Sequence, residues 1–118
     1  MLLPNVLTAK RSDEYANQVK LTLHLPVDLD YFAGHFPSLP VLPGVVQVDW
    51  AVRYAREYLA INGKFIALEH IKFQSLVLPD ATLELLLSWN EKKNQIEFSF
   101  LTSERKYSSG CIVFGRSE

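Results

Sequence analysis

The sequence predicts an antiparallel α+β fold in which one long helix packs against a sheet. Several short runs alternate apolar and polar residues, which predicts half-buried strands because successive side chains of a strand point to opposite faces. One segment, residues 45–60, instead repeats its apolar residues every three or four positions, as a helix does. Short polar turns join the later strand-like runs, as they do in antiparallel sheets. A single helix that covers one face of such a sheet is the economical arrangement.

The first predicted strand covers residues 19–25, and Pro26 ends it. Its alternation is without error and places His24 on the polar face beside Lys20 and Thr22. That face is turned toward solvent or an interface, so we expect His24 to be a surface histidine.

The predicted helix carries two rows of apolar residues, and we expect Asn62-Gly63 to end it. Two rows leave little of the circumference polar. This predicts either a sheet wrapped around the helix or a buried subunit interface. The rows are Val45, Val48, Val52, Ala55 and Leu59, and Val46, Trp50, Tyr54 and Tyr58.

The rest of the chain is strand-like. We find no linker, repeat or low-complexity segment, and we predict a single domain over residues 1–118. His70 lies inside an apolar run and is expected to be structural. The expected strands cover residues 65–73, 83–89, 96–100 and 107–114, with breaks at Pro79-Asp80 and at the polar turns 90–94 and 103–106.

Charge and composition narrow the possible functions. The chain has 118 residues, 12 basic and 13 acidic, with a net charge of −1. Its Lys and Arg residues are scattered, so we expect neither a nucleic-acid partner nor a membrane surface as partner. No Cys/His cluster has metal-ligand spacing and no Gly-rich loop precedes a helix, so we expect no metal and no organic cofactor.

The single cysteine and the N-terminal segment predict where in the cell the protein is located. The single cysteine, Cys111, cannot form an internal disulfide, which favours the cell interior, and we expect it to be a small buried residue. The first residues lack the cationic lead of a signal peptide, and no stretch is long enough to span a bilayer. We therefore expect a soluble, cytoplasmic protein.

The loop before the helix contains the residues most suited to chemistry. His35 titrates near neutral pH, and prolines and glycines around it restrict the directions in which it can point. Asp49 follows early in the helix, so an imidazole and a carboxyl group could exchange protons with a substrate. The other loop residues of this candidate site are Gly34, Phe36, Pro37, Pro43 and Gly44.

Taken singly, these residues have ordinary explanations as well. A lone histidine is more often structural than catalytic, and Asp49 could be a helix acid favoured by the macrodipole. Asp49 and Arg53 are also four residues apart, which is the spacing of a helical ion pair.

The combination of residues 34–37 (GHFP), residues 40–45 (PVLPGV) and Asp49 resembles the signature of FabA/FabZ-type 3-hydroxyacyl-acyl-carrier-protein dehydratases. The resemblance implies the hotdog fold, an antiparallel sheet curled around one helix, which agrees with the pattern described above. Residues 43–50 also resemble the ApeI-type, dehydratase-like branch associated with aryl-polyene biosynthesis.

The resemblance implies a division of roles. His35 would remove the C2 proton of a 3-hydroxyacyl thioester, and Asp49 would protonate or orient the departing C3 hydroxyl. Backbone N–H groups of Gly44 or Val45 would polarise the thioester carbonyl. The family also implies an acyl carrier protein as partner, and a homodimer or higher homo-oligomer whose sites take the His from one subunit and the acid from the other.

Two positions depart from the FabZ pattern. Asp49 stands where that branch commonly has Glu, which shortens the reach by one methylene. Arg53 stands where the FabZ motif has Gln, and a cation one turn from Asp49 would favour its charged form unless Arg53 faces away or pairs with Glu57. An apolar tunnel is needed for the acyl chain, and its expected wall residues are Val45, Val48, Trp50 and Phe73.

Three functions follow, and we predict the first. It is dehydration of (3R)-3-hydroxyacyl thioesters to trans-2-enoyl thioesters in fatty-acid or aryl-polyene-type biosynthesis. The second is an acyl-thioesterase on the same fold, which needs a carboxylate to activate water but not the loop of His35. The third is a non-catalytic subunit that binds acyl groups or carrier protein, an alternative that Arg53 keeps open.

Overall fold

The structure is a computed structural model that describes residues 2–12, 17–33 and 40–116. Its six strands form one antiparallel sheet in the order β1-β2-β4-β5-β6-β3, so β1 and β3 are the two edges. The elements are β1 (Asn5–Arg11), β2 (Gln18–His24), a 3₁₀ turn (Asp30–Ala33), α1 (Gly44–Leu59), β3 (Phe65–Phe73), β4 (Thr82–Asn90), β5 (Gln95–Leu101) and β6 (Lys106–Phe114).

Helix α1 packs against one face of the sheet, and together they enclose a single hydrophobic core. Strands β2, β4 and β5 bury every second residue, as their alternating sequences predict. Trp50, Ala51 and Ala55 of α1 are fully buried against them. The predicted α+β class, with one long helix and an antiparallel sheet as in the hotdog fold, is confirmed.

The strands that the sequence predicts are present to within a residue or two, but β1 was not expected. All seven of its side chains are exposed, so it has no alternation to reveal it. Strand β1 is held in place by its backbone pairing with β2. Its Arg11 also donates a hydrogen bond from the guanidinium to the carbonyl oxygen of Tyr58, at the end of α1. The short 3₁₀ turn was not predicted either.

Within this one chain, α1 is buried on one side and exposed on the other, and the alternative of a buried subunit interface stays a prediction. The row through Val46, Trp50 and Tyr54 is buried in the core. On the other side Val45 is 76% exposed, and Asp49 is exposed as well. No element in the described part of the chain covers this side of the helix.

Helix α1 ends at Leu59, one residue before the predicted end, and its C-cap is Ala60, with φ of 55°, rather than the predicted Asn62-Gly63. Arg56 holds the segment after the helix, because its Nη1 donates hydrogen bonds to the carbonyl oxygens of Ile61 (3.3 Å) and Gly63 (3.0 Å). Its guanidinium carbon lies 5.3 Å from the ring centre of Phe114, a cation–π contact. Among the described residues, no helix is both long and apolar enough to cross a membrane.

Two neighbouring glycines differ sharply in the space around them. A Cβ atom on Gly63 would lie 1.8 Å from the carbonyl oxygen of Gly115, whereas the atom nearest to a Cβ on Gly115 would be Ile66 Cδ1, at 3.3 Å. The first contact is with backbone and the second with the end of a flexible side chain.

We predict that Gly63→Ala lowers the free energy of unfolding by about 2–3 kcal/mol, because backbone must move to admit the methyl group. The matched control, Gly115→Ala, should change it by less than about 1 kcal/mol. Urea unfolding followed by tryptophan fluorescence measures both. Equal losses in the two variants would contradict this account of the packing.

Candidate active site

An apolar groove lies between the first half of α1 and the edge strand β3. Its volume is about 540 Å³, within the range of small-molecule sites. Asp49 is its one charged lining residue among those described, so a single carboxyl group stands beside otherwise apolar surface. The lining residues are Gly44, Val45, Val48, Asp49 and Val52 from α1, and Phe65, Leu68, Ile71 and Phe73 from β3.

Gly44 and Phe73 bring the start of α1 and the end of β3 into contact. A Cβ atom on Gly44 would lie 2.6 Å from Cζ and 2.8 Å from Cε1 of Phe73. The ring can rest against this part of the helix only because residue 44 has no side chain. The aromatic ring therefore bounds the groove where the helix begins.

At this end of the groove, the first two backbone N–H groups of the helix have no acceptor within the helix itself. The carbonyl oxygen of Pro43 accepts the first hydrogen bonds of the helix, from the N–H groups of Val46 (3.1 Å) and Gln47 (3.2 Å). The N–H groups of Gly44 and Val45 precede these bonds and so have no partner within the helix. They lie at the positive end of the helix dipole, where a developing negative charge is favoured.

Backbone and side-chain bonds hold the segment before the helix. Leu42 donates its N–H to the carbonyl oxygen of Val77 at 2.8 Å. Its own carbonyl oxygen accepts a bond from Nε2 of Gln47 at 3.2 Å. Oε1 of Gln47 accepts the hydroxyl of Ser108 on β6 at 2.7 Å. Sequence reasoning missed Gln47, although a polar residue inside the apolar run 45–48 was the available signal.

Asp49 and Arg53 are both exposed. Neither the ion pair of Asp49 with Arg53 nor that of Arg53 with Glu57 forms among the residues that the structure describes. Arg53 and Glu57 border a second depression on the other side of Val52, which Asp49 also reaches. Asp49 therefore faces the groove without a paired cation on its own helix.

The structure brings together some of the predicted site residues but not all. Val45, Val48 and Phe73 lie in the groove with Asp49, and their role as walls of an acyl tunnel stays a prediction. His35, with Gly34, Phe36 and Pro37, lies outside the described residues, and its role stays a prediction.

Trp50 is a correction to the predicted tunnel wall. It is fully buried on the sheet side of α1, where Nε1 donates to the carbonyl oxygen of Leu2 at 3.3 Å. Its ring meets Tyr31 edge-on, with 6.2 Å between centroids. Trp50 is not among the residues that line the groove.

The other reactive side chains give no competing site. Burial raises the pKa of Cys111, with further contributions from Glu97 and Glu69, so the thiol stays protonated. Cys111 is half-buried rather than buried as expected. Burial likewise raises the pKa of Tyr54 to about 12, which keeps its phenol neutral.

The remaining histidines lie away from the groove lining. His24 is half-buried, and its Nε2 lies 2.8 Å from Oδ1 of Asp80, so it is a paired residue at the sheet surface. His70 is exposed on β3 with φ of 55°, where the pairing with β6 shifts register. Over the described ranges, no three His, Cys, Asp or Glu residues cluster as a metal site would require.

Comparison with solved structures places this architecture among hotdog-fold proteins of the dehydratase type. A chain of the dehydratase heterocomplex ApeI:P from Xenorhabdus doucetiae superposes with a TM-score of 0.88 at 35% identity, covering 98% of this chain and 100% of that one. An uncharacterized protein from Erwinia carotovora subsp. atroseptica gives 0.84 at 38% identity, covering 97% of both chains. The dehydratase domain of PpsC from Mycobacterium tuberculosis shares the fold, with a TM-score of 0.69 at 16% identity over 96% of this chain and 44% of that one.

The family follows from the sequence comparison. The model of the ApeI-like family, described as ApeI dehydratase, matches residues 10–111, and the chain belongs to this family. Curated relatives include the 3-hydroxyacyl-[acyl-carrier-protein] dehydratases FabZ of Erythrobacter litoralis and Novosphingobium aromaticivorans. They are 28% and 34% identical over 73% and 56% of this chain. The matches span 63% and 48% of those relatives' own length, roughly half to two thirds.

The contact between Gly44 and Phe73 yields a prediction about stability. In a Phe73→Ala background, Gly44→Ala should stabilise the protein by up to about 1 kcal/mol, since alanine favours the helix. In the wild-type background the methyl group must displace the ring of Phe73, so we expect Gly44→Ala to give no stabilisation. The two substitutions should therefore be coupled by about 1 kcal/mol in the free energy of unfolding. Urea unfolding of the four proteins measures it, and the same effect in both backgrounds would refute the contact.

Proposed function

We propose that this protein dehydrates (3R)-3-hydroxyacyl thioesters carried by an acyl carrier protein, giving trans-2-enoyl thioesters. The observation that carries the proposal is the groove of an ApeI-like chain, in which the carboxyl group of Asp49 and the first N–H groups of α1 border one apolar space. FabZ relatives that act on carrier-protein substrates support the choice of reaction and partner.

In the proposed reaction, the neutral imidazole of His35 takes a proton from C2 of the substrate. The electron pair of that C–H bond moves to the thioester, which becomes an enolate. When the carbonyl forms again, the C3–O bond breaks and the hydroxyl leaves as water, with a proton from a protonated Asp49 or, where Asp49 is ionised, from the imidazolium of His35. The sum is one C=C bond and one water molecule from the hydroxyacyl group, with no electron gained or lost. For this reason the proposal includes no metal or organic cofactor.

Asp49 is the proposed acid or orienting group for the departing hydroxyl. Its exposure in the groove gives a substrate access to the carboxyl group, and no ion pair with Arg53 occupies it within the described chain. When it is protonated, Asp49 can donate a proton directly to the departing hydroxyl. When it is ionised, it can orient the hydroxyl or a water molecule. Both modes use the same position.

The N–H groups of Gly44 and Val45 are the proposed donors to the thioester oxygen. Enolate formation places negative charge on that oxygen, and fixed donors at a helix N-terminus stabilise such a charge without reorganising. The apolar side chains of Val48, Leu68 and Ile71 offer a surface for the acyl chain.

We also propose that a second subunit completes the site along β3. This edge strand exposes large apolar side chains: Phe65 (46%), Ile66 (60%), Leu68 (42%) and Phe73 (53%). An unpaired, apolar edge is a liability that proteins normally cover. A homodimer that joins two β3 edges would cover it, and the family resemblance implies that the sites of such a dimer take His35 from one subunit and Asp49 from the other.

A second candidate function is a non-catalytic subunit that binds the acyl group or carrier protein. The observation that favours it is the similarity to a dehydratase that is described as a heterocomplex, in which subunits need not contribute equally. In this alternative β3 would pair with a different chain of the same fold.

We predict that His35→Ala and Asp49→Asn each lower kcat by about 10²–10⁴-fold, because each removes a proton-transfer group. The measurement follows enoyl-thioester absorbance from a short (3R)-3-hydroxyacyl carrier-protein substrate. Glu57→Gln is the matched control, an exposed carboxylate two turns further along α1, and should stay within about twofold of wild type.

Each other outcome of this experiment has a definite meaning. Equal activity of wild type and both variants would eliminate the proposed site. Release of free thiol without enoyl product would identify a thioesterase. If the wild-type protein binds carrier protein but converts no substrate of any chain length, the non-catalytic subunit would be supported.

We further predict that Leu68→Lys converts the assembly to monomers, because a buried lysine without a partner is costly at an interface. Leu7→Lys is the control: it places the same charge on the opposite edge strand, at a residue of similar exposure (55%), and should leave the mass unchanged. Light scattering coupled to size-exclusion chromatography measures the mass. A wild-type monomer, or a dimer that Leu68→Lys leaves intact, would disprove the interface.

A further inference from the structure

Two polar side chains lie inside the otherwise apolar core, at the boundary between the loop and α1. Gln47 is 4% exposed and Ser108 is fully buried. The remaining buried side chains of the described residues are apolar, so this pair is an exception that needs a reason. Among described residues no buried side-chain nitrogen or oxygen lacks a hydrogen bond, so the pair is fully satisfied.

The amide of Gln47 joins three separate parts of the fold. It stands in the first turn of α1, accepts from the Ser108 hydroxyl on β6, and donates to the carbonyl oxygen of Leu42 in the preceding loop. Leu42 is also held from its other side, through its N–H bond to Val77. Both peptide groups of Leu42 are thereby fixed.

We propose that Gln47 is a positioning residue for the reaction. Its hydrogen bond to Leu42, which we call the clamp, sets where α1 begins relative to β3. This inference rests on the proposed function. Leu42 immediately precedes Pro43, whose carbonyl accepts the first helical bonds. The proposed carbonyl-polarising donors, Gly44 and Val45, follow directly, and Asp49 lies two residues beyond Gln47.

A purely structural role does not explain this pair well. The bond between Gln47 and Ser108 by itself could be replaced by a matched apolar pair at little cost in stability. What an apolar pair cannot do is hold the carbonyl group of Leu42 in one direction. Because a misplacement of about 1 Å in an active site can cost about 10²-fold in rate, that direction matters more to turnover than to folding.

The test separates stability from turnover with the double variant Gln47→Met/Ser108→Ala. This variant removes both side-chain polar groups together but also removes the donor to the carbonyl oxygen of the buried Leu42, so we expect a folded protein with a Tm about 4–8 °C below that of wild type. We expect kcat to fall at least about tenfold with KM within about twofold, because positioning rather than binding is lost. Ser109→Ala, the neighbouring serine of β6, is the control and should retain wild-type kcat.

A second readout does not depend on turnover. The N–H of Leu42 is bonded to Val77, and we expect its hydrogen exchange to become about tenfold faster in the double variant once the clamp is lost. Exchange in Ser109→Ala should match wild type. Mass spectrometry of the peptide that contains Leu42 measures it.

The outcomes separate this inference from the proposed function. A folded double variant with wild-type kcat and wild-type exchange at Leu42 overturns the inference. If the double variant does not fold, Ser108→Ala alone decides: a kcat about two- to fivefold lower with faster exchange supports the clamp, and unchanged values overturn it. If wild type itself shows no dehydration, the proposed function fails, and unchanged exchange at Leu42 would then overturn the clamp independently.

Discussion

The periodicity of a single helix is the constraint on which the rest of this structure depends. Successive residues of α1 are turned by about 100°, and this step separates the exposed Asp49 from the fully buried Trp50. Trp50 is buried against the sheet, while Asp49 stands in the groove beside β3. The packing that fixes Trp50 in the core therefore also fixes the direction in which the carboxyl group of Asp49 points.

The position of the helix along its own axis requires other contacts, and these gather at its first turn. The ring of Phe73 lies against Gly44, and Gln47 bonds both Leu42 and Ser108. Each contact joins the start of α1 to a different strand or loop. Rotation about the axis is thus set by core packing, and translation along it by a glycine contact and a buried amide. Together they determine where the first N–H groups of the helix lie relative to the groove.

Strands β2, β4, β5 and β6 and helix α1 follow from periodicity, because their burial alternates as their sequences do. Strand β3 was predicted from its apolar composition although its side chains are mostly exposed, whereas β1 is exposed throughout and is defined only by its pairing with β2. Asp49 could be predicted from its place after the loop. Trp50 was misassigned because two apolar rows on one helix do not reveal which row faces the sheet. The contacts of Gln47 join residues 61 positions apart, which no local pattern encodes.

The central claim is that the groove beside Asp49 catalyses proton transfer and C–O cleavage at a 3-hydroxyacyl thioester. The most direct test runs the reaction in reverse, with a trans-2-enoyl carrier-protein thioester in water labelled with deuterium and oxygen-18, read by mass spectrometry. The account predicts a 3-hydroxyacyl product with one deuterium at C2 and one heavy oxygen at C3, and its loss in Asp49→Asn. Undiminished labelling in Asp49→Asn, or a free thiol in place of the hydroxyacyl product, would contradict it.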